Sequence, residues 1–405
     1  MQTIYVDNNA TTQVAQEVYE VMLPYLTSDY FNPSSMYEQA RGASTAVSKA
    51  RATIAGFLGG IHPDEILFTS CATESNNAAI FGVASANPNR RHVMTTAVEH
   101  PAVLEVCLEL ERRGFEVTFL PVDTSGNLDV GGFVRALRPD TLLVSIMHAN
   151  NETGVIFPVE ELSRICKETD PSIIFHTDAT QSLGKLPIDL RGAFRHVDLL
   201  SFSGHKLHAP KGVGALYVKR DTCWHPFMMG GHQEKGRRAG TENVPYVVGL
   251  EKACELAFQN READYERVGK LRDRLAQALQ EMIPCLQVNG RDAPRLHTTL
   301  NLACHYVEGE GILYQLSAHG ICASSGSACT SGSLKPSHVL RAMKVPFTAV
   351  HGSVRFSLSR YNTEQEIERI IEVFPRIVSN LRKLSPYWDD RNNRPRPEAK
   401  ELENR

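Results

Sequence analysis

Between residues 66 and 218, short β-branched apolar runs alternate with stretches of helical period. That alternation predicts an α/β fold, a largely parallel sheet covered by helices on both faces. The predicted strands are 66–68, 92–95, 116–119, 141–146, 173–176, 199–201 and 214–218. Runs such as Leu142-Leu143-Val144-Ser145-Ile146 keep apolar residues at successive positions, as a strand buried on both faces requires. After about residue 245 the texture changes. A long amphipathic helical stretch runs through 263–279, strand candidates follow at 298–302 and 354–358, and Thr363-Glu364-Gln365-Glu366 has the capping-box pattern that opens a helix. A second, smaller α+β domain is therefore expected, with the boundary near 255–265. From residue 389 onward the chain is charged and interrupted by proline, the composition of a loosely held arm.

Composition narrows the class without naming it. The 405 residues are 42% apolar and 22% charged, with 28 Gly and 21 Pro, which excludes disordered and collagen-like chains and leaves room for a large core. A net charge of -3 supplies no basic field to recruit nucleic acid or an anionic membrane. No apolar run approaches the length of a membrane span, and the first twelve residues have no signal-peptide pattern. The nine cysteines (71, 107, 166, 223, 254, 285, 304, 322 and 329) form no CxxC pair and no zinc spacing. No metal site is expected, and the reading is a cytoplasmic protein in a reducing compartment.

Ligand sites of parallel sheets lie beyond the strand C-termini. The unusual polar clusters of this chain sit there: Ser70-Cys71-Ala72-Thr73-Glu74-Ser75-Asn76-Asn77, His148-Ala149-Asn150-Asn151-Glu152, Asp178-Ala179-Thr180-Gln181 and Ser201-Phe202-Ser203-Gly204-His205-Lys206. A lysine is ordinarily a solvated surface residue. Lys206, held after an apolar strand, is instead placed to form an imine with a carbonyl cofactor, and pyridoxal phosphate is the one that also needs a phosphate cup and an acidic partner for its ring nitrogen. Asp178 ends an apolar strand and can be that partner, or equally the N-cap of the segment after Ala179. Ala72 and Thr73 open a helix after a strand, a ready phosphate site, and Ser203 and His205 can add donors.

Taken together, these stretches resemble a known family. Asp7-Asn8-Asn9-Ala10-Thr11-Thr12, Asn32-Pro33-Ser34-Ser35, Ala72-Thr73-Glu74-Ser75-Asn76, Glu99-His100, His176-Thr177-Asp178-Ala179-Thr180-Gln181, Ser203-Gly204-His205-Lys206, Arg238-Ala239-Gly240-Thr241 and Ser324-Ser325-Gly326-Ser327-Ala328-Cys329 look like the pyridoxal-phosphate-dependent cysteine desulfurases, in order along the chain. The resemblance is strongest to the NifS type. It implies the fold-type I transferase architecture, with a large cofactor domain at 13–260, a small domain from 1–12 and 261–388 that carries the catalytic cysteine, and a flexible tail at 389–405.

Residue by residue, the resemblance implies that Lys206 holds the cofactor and moves the substrate's α-proton. Asp178 would pair with the ring nitrogen, Gln181 with the phenolic oxygen, and His100 would stack on the ring and help move protons. Thr73, beside Ala72, would hold the phosphate with Ser203 and His205, joined by Thr241 from the partner subunit of a homodimer. Asn151 and Arg355 would bind the substrate carboxylate, with Asn8 or Asn32 nearby. Cys329, in a loop of small residues, would take sulfur from L-cysteine as a persulfide, leave L-alanine, and pass the sulfur to an iron–sulfur scaffold protein, dedicated to nitrogenase or general. A thiol of pKa about 8.5 calls for a nearby cation, and His100 is the candidate. Two other readings stay open at this point: a selenocysteine lyase or aminotransferase of the same superfamily, and an interaction protein that has lost the chemistry.

Overall fold

The structure, a computed structural model, describes residues 3–325 and 336–400. Its strands are β1 (Ile4–Tyr5), β2 (Ile66–Thr69), β3 (His92–Thr96), β4 (Glu116–Leu120), β5 (Thr141–Ser145), β6 (Ile174–Asp178), β7 (Leu199–Ser203), β8 (Gly214–Val218), β9 (Leu286–Asn289), β10 (Thr299–Cys304), β11 (Ile321–Cys322), β12 (Ser353–Ser357), β13 (Trp388–Asp389) and β14 (Arg394–Pro395). Its helices are α1 (Gln16–Thr27), α2 (Ala40–Phe57), α3 (Ala72–Ala86), α4 (Pro101–Arg112), α5 (Val130–Ala136), α6 (Val159–Thr169), α7 (Val244–Met282), α8 (Gly309–Ala318), α9 (His338–Ala342), α10 (Phe347–Val350), α11 (Glu364–Leu384) and α12 (Pro397–Lys400). Among the described residues no helix is long and apolar enough to cross a membrane.

Seven strands make one sheet in the order β2-β8-β7-β6-β5-β3-β4. The pairs β7–β6, β6–β5, β5–β3 and β3–β4 are parallel, while β8 runs against both its neighbours. Successive side chains of a strand face opposite sides. Leu67, Val93, Leu143, Ile174, Leu199 and Leu216 accordingly join α3 and α4 in one apolar cluster. Phe68, Met94, Val144, Phe175, Leu200 and Tyr217, each one position on, join α1, α2, α6 and α7 in another. With both faces covered, the strand ends are where the sheet's polar residues can meet a ligand.

A second core surrounds the antiparallel sheet β12-β10-β9, against which α8, α11 and the later part of α7 pack. Parallel pairing of β1 with β11 brings the first residues of the chain to this core, where Ile4 and Val6 are buried. The helix α7 serves both cores: Val244, Leu250 and Ala257 belong to the first, and Val268, Leu275 and Leu279 to the second. The expected boundary falls inside this helix because its apolar face continues across it. Val339, Leu340, Met343 and Val350, expected with the smaller domain, pack on the first core.

The arm also departs from expectation. Trp388 and Ala399 are buried with Tyr306, the Arg382 guanidinium lies 4.2 Å from the centre of the Trp388 ring, and β13 pairs with β14. Among the described residues of the arm Ala399 is the buried one, while most residues from 390 to 398 are exposed.

Candidate active site

Five strand ends meet at one edge of the large sheet. After β2 the chain enters α3, whose N-cap residue Cys71 gives no side-chain hydrogen bond to the helix. Gly214 makes room for that start: a Cβ there would stand 2.7 Å from the Phe202 carbonyl oxygen and 2.9 Å from the Cys71 carbonyl carbon. After β3 comes His100, the N-cap of α4, with Pro101 following it at the position that needs no N–H. After β5 come Met147, Ala149 and Asn151, and β6 ends in Asp178. The antiparallel turn from β7 into β8 carries Lys206 in one turn of 3₁₀ helix at Gly204–Lys206.

These ends line a cavity of about 390 Å³. Of the residues expected around the cofactor and substrate, Ala72, Thr73, His100, Asn151, Asp178, Gln181, Ser203, His205, Lys206 and Arg355 line it. Lys206 Nζ donates to the carbonyls of Asn9 (2.6 Å) and Ala10 (2.7 Å). Asp178 is 6% exposed, and accepts from Asn76 Nδ2 at 2.7 Å and from the Thr180 backbone N–H at 2.9 Å. One oxygen closes the following turn, and the carboxylate borders the cavity. Below it, the His176 ring bridges Ser145 (2.8 Å) and Ser201 (2.9 Å) across three strands.

Polar groups left without partners tell what the cavity fits. Ser203 Oγ and Thr180 Oγ1 are buried and have no hydrogen-bond partner among the described residues, and both side chains line the cavity. Unmet hydroxyls in one cavity with a helix start that its own N-cap side chain leaves open suit a phosphate group. Arg355, 2% exposed, donates to the Asn151 carbonyl (3.0 Å) and to Asp7 Oδ1 (2.7 Å), while its Nε has no partner among the described residues. The donor set therefore fits pyridoxal phosphate, with a guanidinium N–H to spare for a carboxylate.

Several expectations change. His100 Nδ1 accepts from the Ala102 backbone N–H at 3.1 Å, so a neutral ring carries its proton on Nε2. Burial, aided by Lys206, lowers its pKa against the opposing pull of Asp178. That direction disfavours the imidazolium form that the role of the thiol's cation would need. His205 is likewise held neutral, pulled down to about 4 by burial and by Lys206 and Lys211. Asn8 is buried with Nδ2 donating to the Ser357 carbonyl (2.9 Å), and it is Asn9 that borders the cavity. Asn32 is exposed and accepts from the Ser34 N–H (2.9 Å), and Thr241 is exposed; neither lines the cavity of the single chain. Cys329 lies outside the described residues. Asn76 and Asn9 are the contributors that the sequence reading left without a role; Asn76, four residues after Ala72, follows it by one helical turn.

Fold and site together define an enzyme of the α/β transferase class. The class-V aminotransferase model matches residues 4–370, and the chain belongs to that family. It is 54% identical over 390 residues, 96% of either chain, to a protein named cysteine desulfurase 2 of Trichormus variabilis. It is 51% identical over 388 residues, 96% of either chain, to the cysteine desulfurase NifS of Azotobacter vinelandii. Among solved structures it is similar to a NifS-like protein, with a TM-score of 0.88 and 38% identity over 94% of this chain and 100% of that one.

Proposed function

We propose that this chain is a cysteine desulfurase that converts L-cysteine to L-alanine and keeps the sulfur on Cys329. The observation that carries the reading is the single cavity shared by Lys206, Asp178, Gln181 and Arg355, in a chain of this family. Pyridoxal phosphate, which the family implies, supplies an electron sink for the charge left when the α-proton of a bound amino acid departs. Lys206, Asp178, Gln181 and His100 would hold it, with Thr73, Ser203 and His205 at its phosphate and Thr241 added by the second copy of a homodimer.

The chain's own groups then divide the work. Arg355 and Asn151 orient the substrate carboxylate, and the guanidinium's position is already set by Asp7 and the Asn151 carbonyl. The amine of Lys206 takes the α-proton and returns one to carbon. The thiolate of Cys329 attacks the substrate sulfur, so an S–S bond forms as the C–S bond breaks; thiol plus cysteine gives persulfide plus alanine, with every atom accounted for. An iron–sulfur scaffold protein then accepts the sulfur. The eight described cysteines are all free, which suits a reducing compartment such as the cytoplasm.

Intact mass before and after L-cysteine, without reductant, tests the reading. The wild type is expected to gain sulfur and Cys329→Ala none. No gain in either, or an equal gain in both, overturns it.

A further inference from the structure

Lys185 is a part-buried lysine without a carboxylate partner among the described residues. Its Nζ lies 3.3 Å from Gln181 Oε1, four residues earlier in the chain. It borders a small pocket of about 40 Å³ that reaches Lys206, His208, Asp264, His297 and Arg360. Burial, then the charges of Lys206 and Arg355, pull it down to about 7. An ammonium set among other cations and paired with a neutral amide is costly. Packing alone would be met better by a methionine.

The gain lies in what the ammonium does to the amide. When protonated, Lys185 only donates, so the amide atom facing it is then the oxygen. At the other end, Gln181 Nε2 meets the Asn9 carbonyl at 3.1 Å, and a carbonyl only accepts. Both neighbours impose one orientation, with the NH₂ toward Asn9 and the cavity that Gln181 lines.

We propose that Lys185 is a positioning residue of the desulfurase site, holding the Gln181 amide so that its NH₂ is presented as a donor to the phenolic oxygen of bound pyridoxal phosphate. The inference rests on the functional reading above and deepens it. A hydrogen bond to the charged form of that oxygen favours it; turning the amide away leaves the oxygen more basic. The proton shared between the oxygen and the cofactor's linkage to lysine is then held to higher pH.

The test is a pH titration of the visible absorbance of the purified holoenzyme, with cofactor content measured in every sample. Lys185→Met is expected to raise the midpoint by about one pH unit, a tenfold change in proton affinity, and Lys185→Arg to restore most of it. Lys185→Gln is carried in parallel as a second neutral variant should methionine disturb folding. In a Gln181→Ala background, Lys185→Met is expected to add less than about half of that shift, because the lysine acts through the glutamine. An unchanged midpoint in the loaded neutral variants overturns the inference, as does an equal shift in both backgrounds. A wild type that takes up no pyridoxal phosphate instead brings down the functional reading, and this inference with it.

Discussion

Arg355 shows how one residue couples a site to its scaffold. It belongs to β12, yet it touches Asp7 near the N-terminus and the Asn151 carbonyl after β5, and its backbone N–H donates to the Ser324 carbonyl at 2.6 Å. Its side chain is 2% exposed and that of Asp7 18%. Removing one partner of a buried ion pair strands the other charge. Asp7→Ala is therefore expected to cost about 3 kcal/mol of stability, at the low end for buried pairs because Asp7 keeps some contact with water. Urea unfolding checks this, and a midpoint equal to wild type would contradict the burial argument. At this scale the sequence was legible where a polar residue ends an apolar run, as Asp178 and Lys206 do. It was not legible at Asn8 and Asn9: adjacent asparagines offer the same chemistry, and only the bridge of Asp7 to Ser357 decides which one turns toward the cavity.

Elements were legible in proportion to how local their causes are. The helix α11 begins where its capping box predicts: Thr363 accepts from the Glu366 N–H at 3.3 Å, and the Glu366 carboxylate accepts from the Thr363 N–H at 3.0 Å. Removing such a cap costs about 1 kcal/mol. Thr363→Ala is expected to lower the thermal midpoint by about 1 °C, and Thr363→Ser to leave it nearly unchanged; equal midpoints for all three proteins would show the cap to be idle. The sheet strands were legible because apolar runs buried on both faces are hard to mistake. Three things were not. The strand β9, Leu286-Gln287-Val288-Asn289, alternates apolar and polar residues at a sheet edge, but for only four positions, too few to stand out from their surroundings. The two-residue strands β1 and β11 exist only through their pairing across the length of the chain. The seat of the arm depends on Trp388 meeting Tyr306, a contact that no window of local sequence contains.

The whole molecule carries buried ionisable groups whose pH responses oppose one another. Glu99, one residue before His100, is fully buried, and its carbonyl accepts from His338 Nε2 at 2.9 Å, tying α9 to the end of β3. Its carboxyl accepts from Thr96 Oγ1 (2.8 Å) and the Met147 N–H (3.0 Å), yet burial still pushes it from 4.5 up to about 8. The buried rings of His148 and His176 are pulled the other way, from 6.5 down to about 4. Between pH 4.5 and 8 the folded chain keeps a proton on Glu99 that the unfolded chain releases, so this group's stability is full at low pH and lost as pH rises toward 8. Between pH 4 and 6.5 the unfolded chain binds protons that the two histidines refuse, so their contribution grows with pH. The two effects cancel in part below pH 6.5, and the total curve hides both. A difference curve isolates one. Glu99→Gln keeps an acceptor for Thr96 and Met147 but cannot titrate, so the stability of wild type relative to the variant is expected to fall as pH rises from 4.5 to 8, by at most about 1.4 kcal/mol per pH unit. Urea unfolding of both proteins at several pH values measures that slope. Parallel curves would mean that Glu99 is ionised in the folded protein, paired by donors stronger than a threonine hydroxyl and a backbone amide.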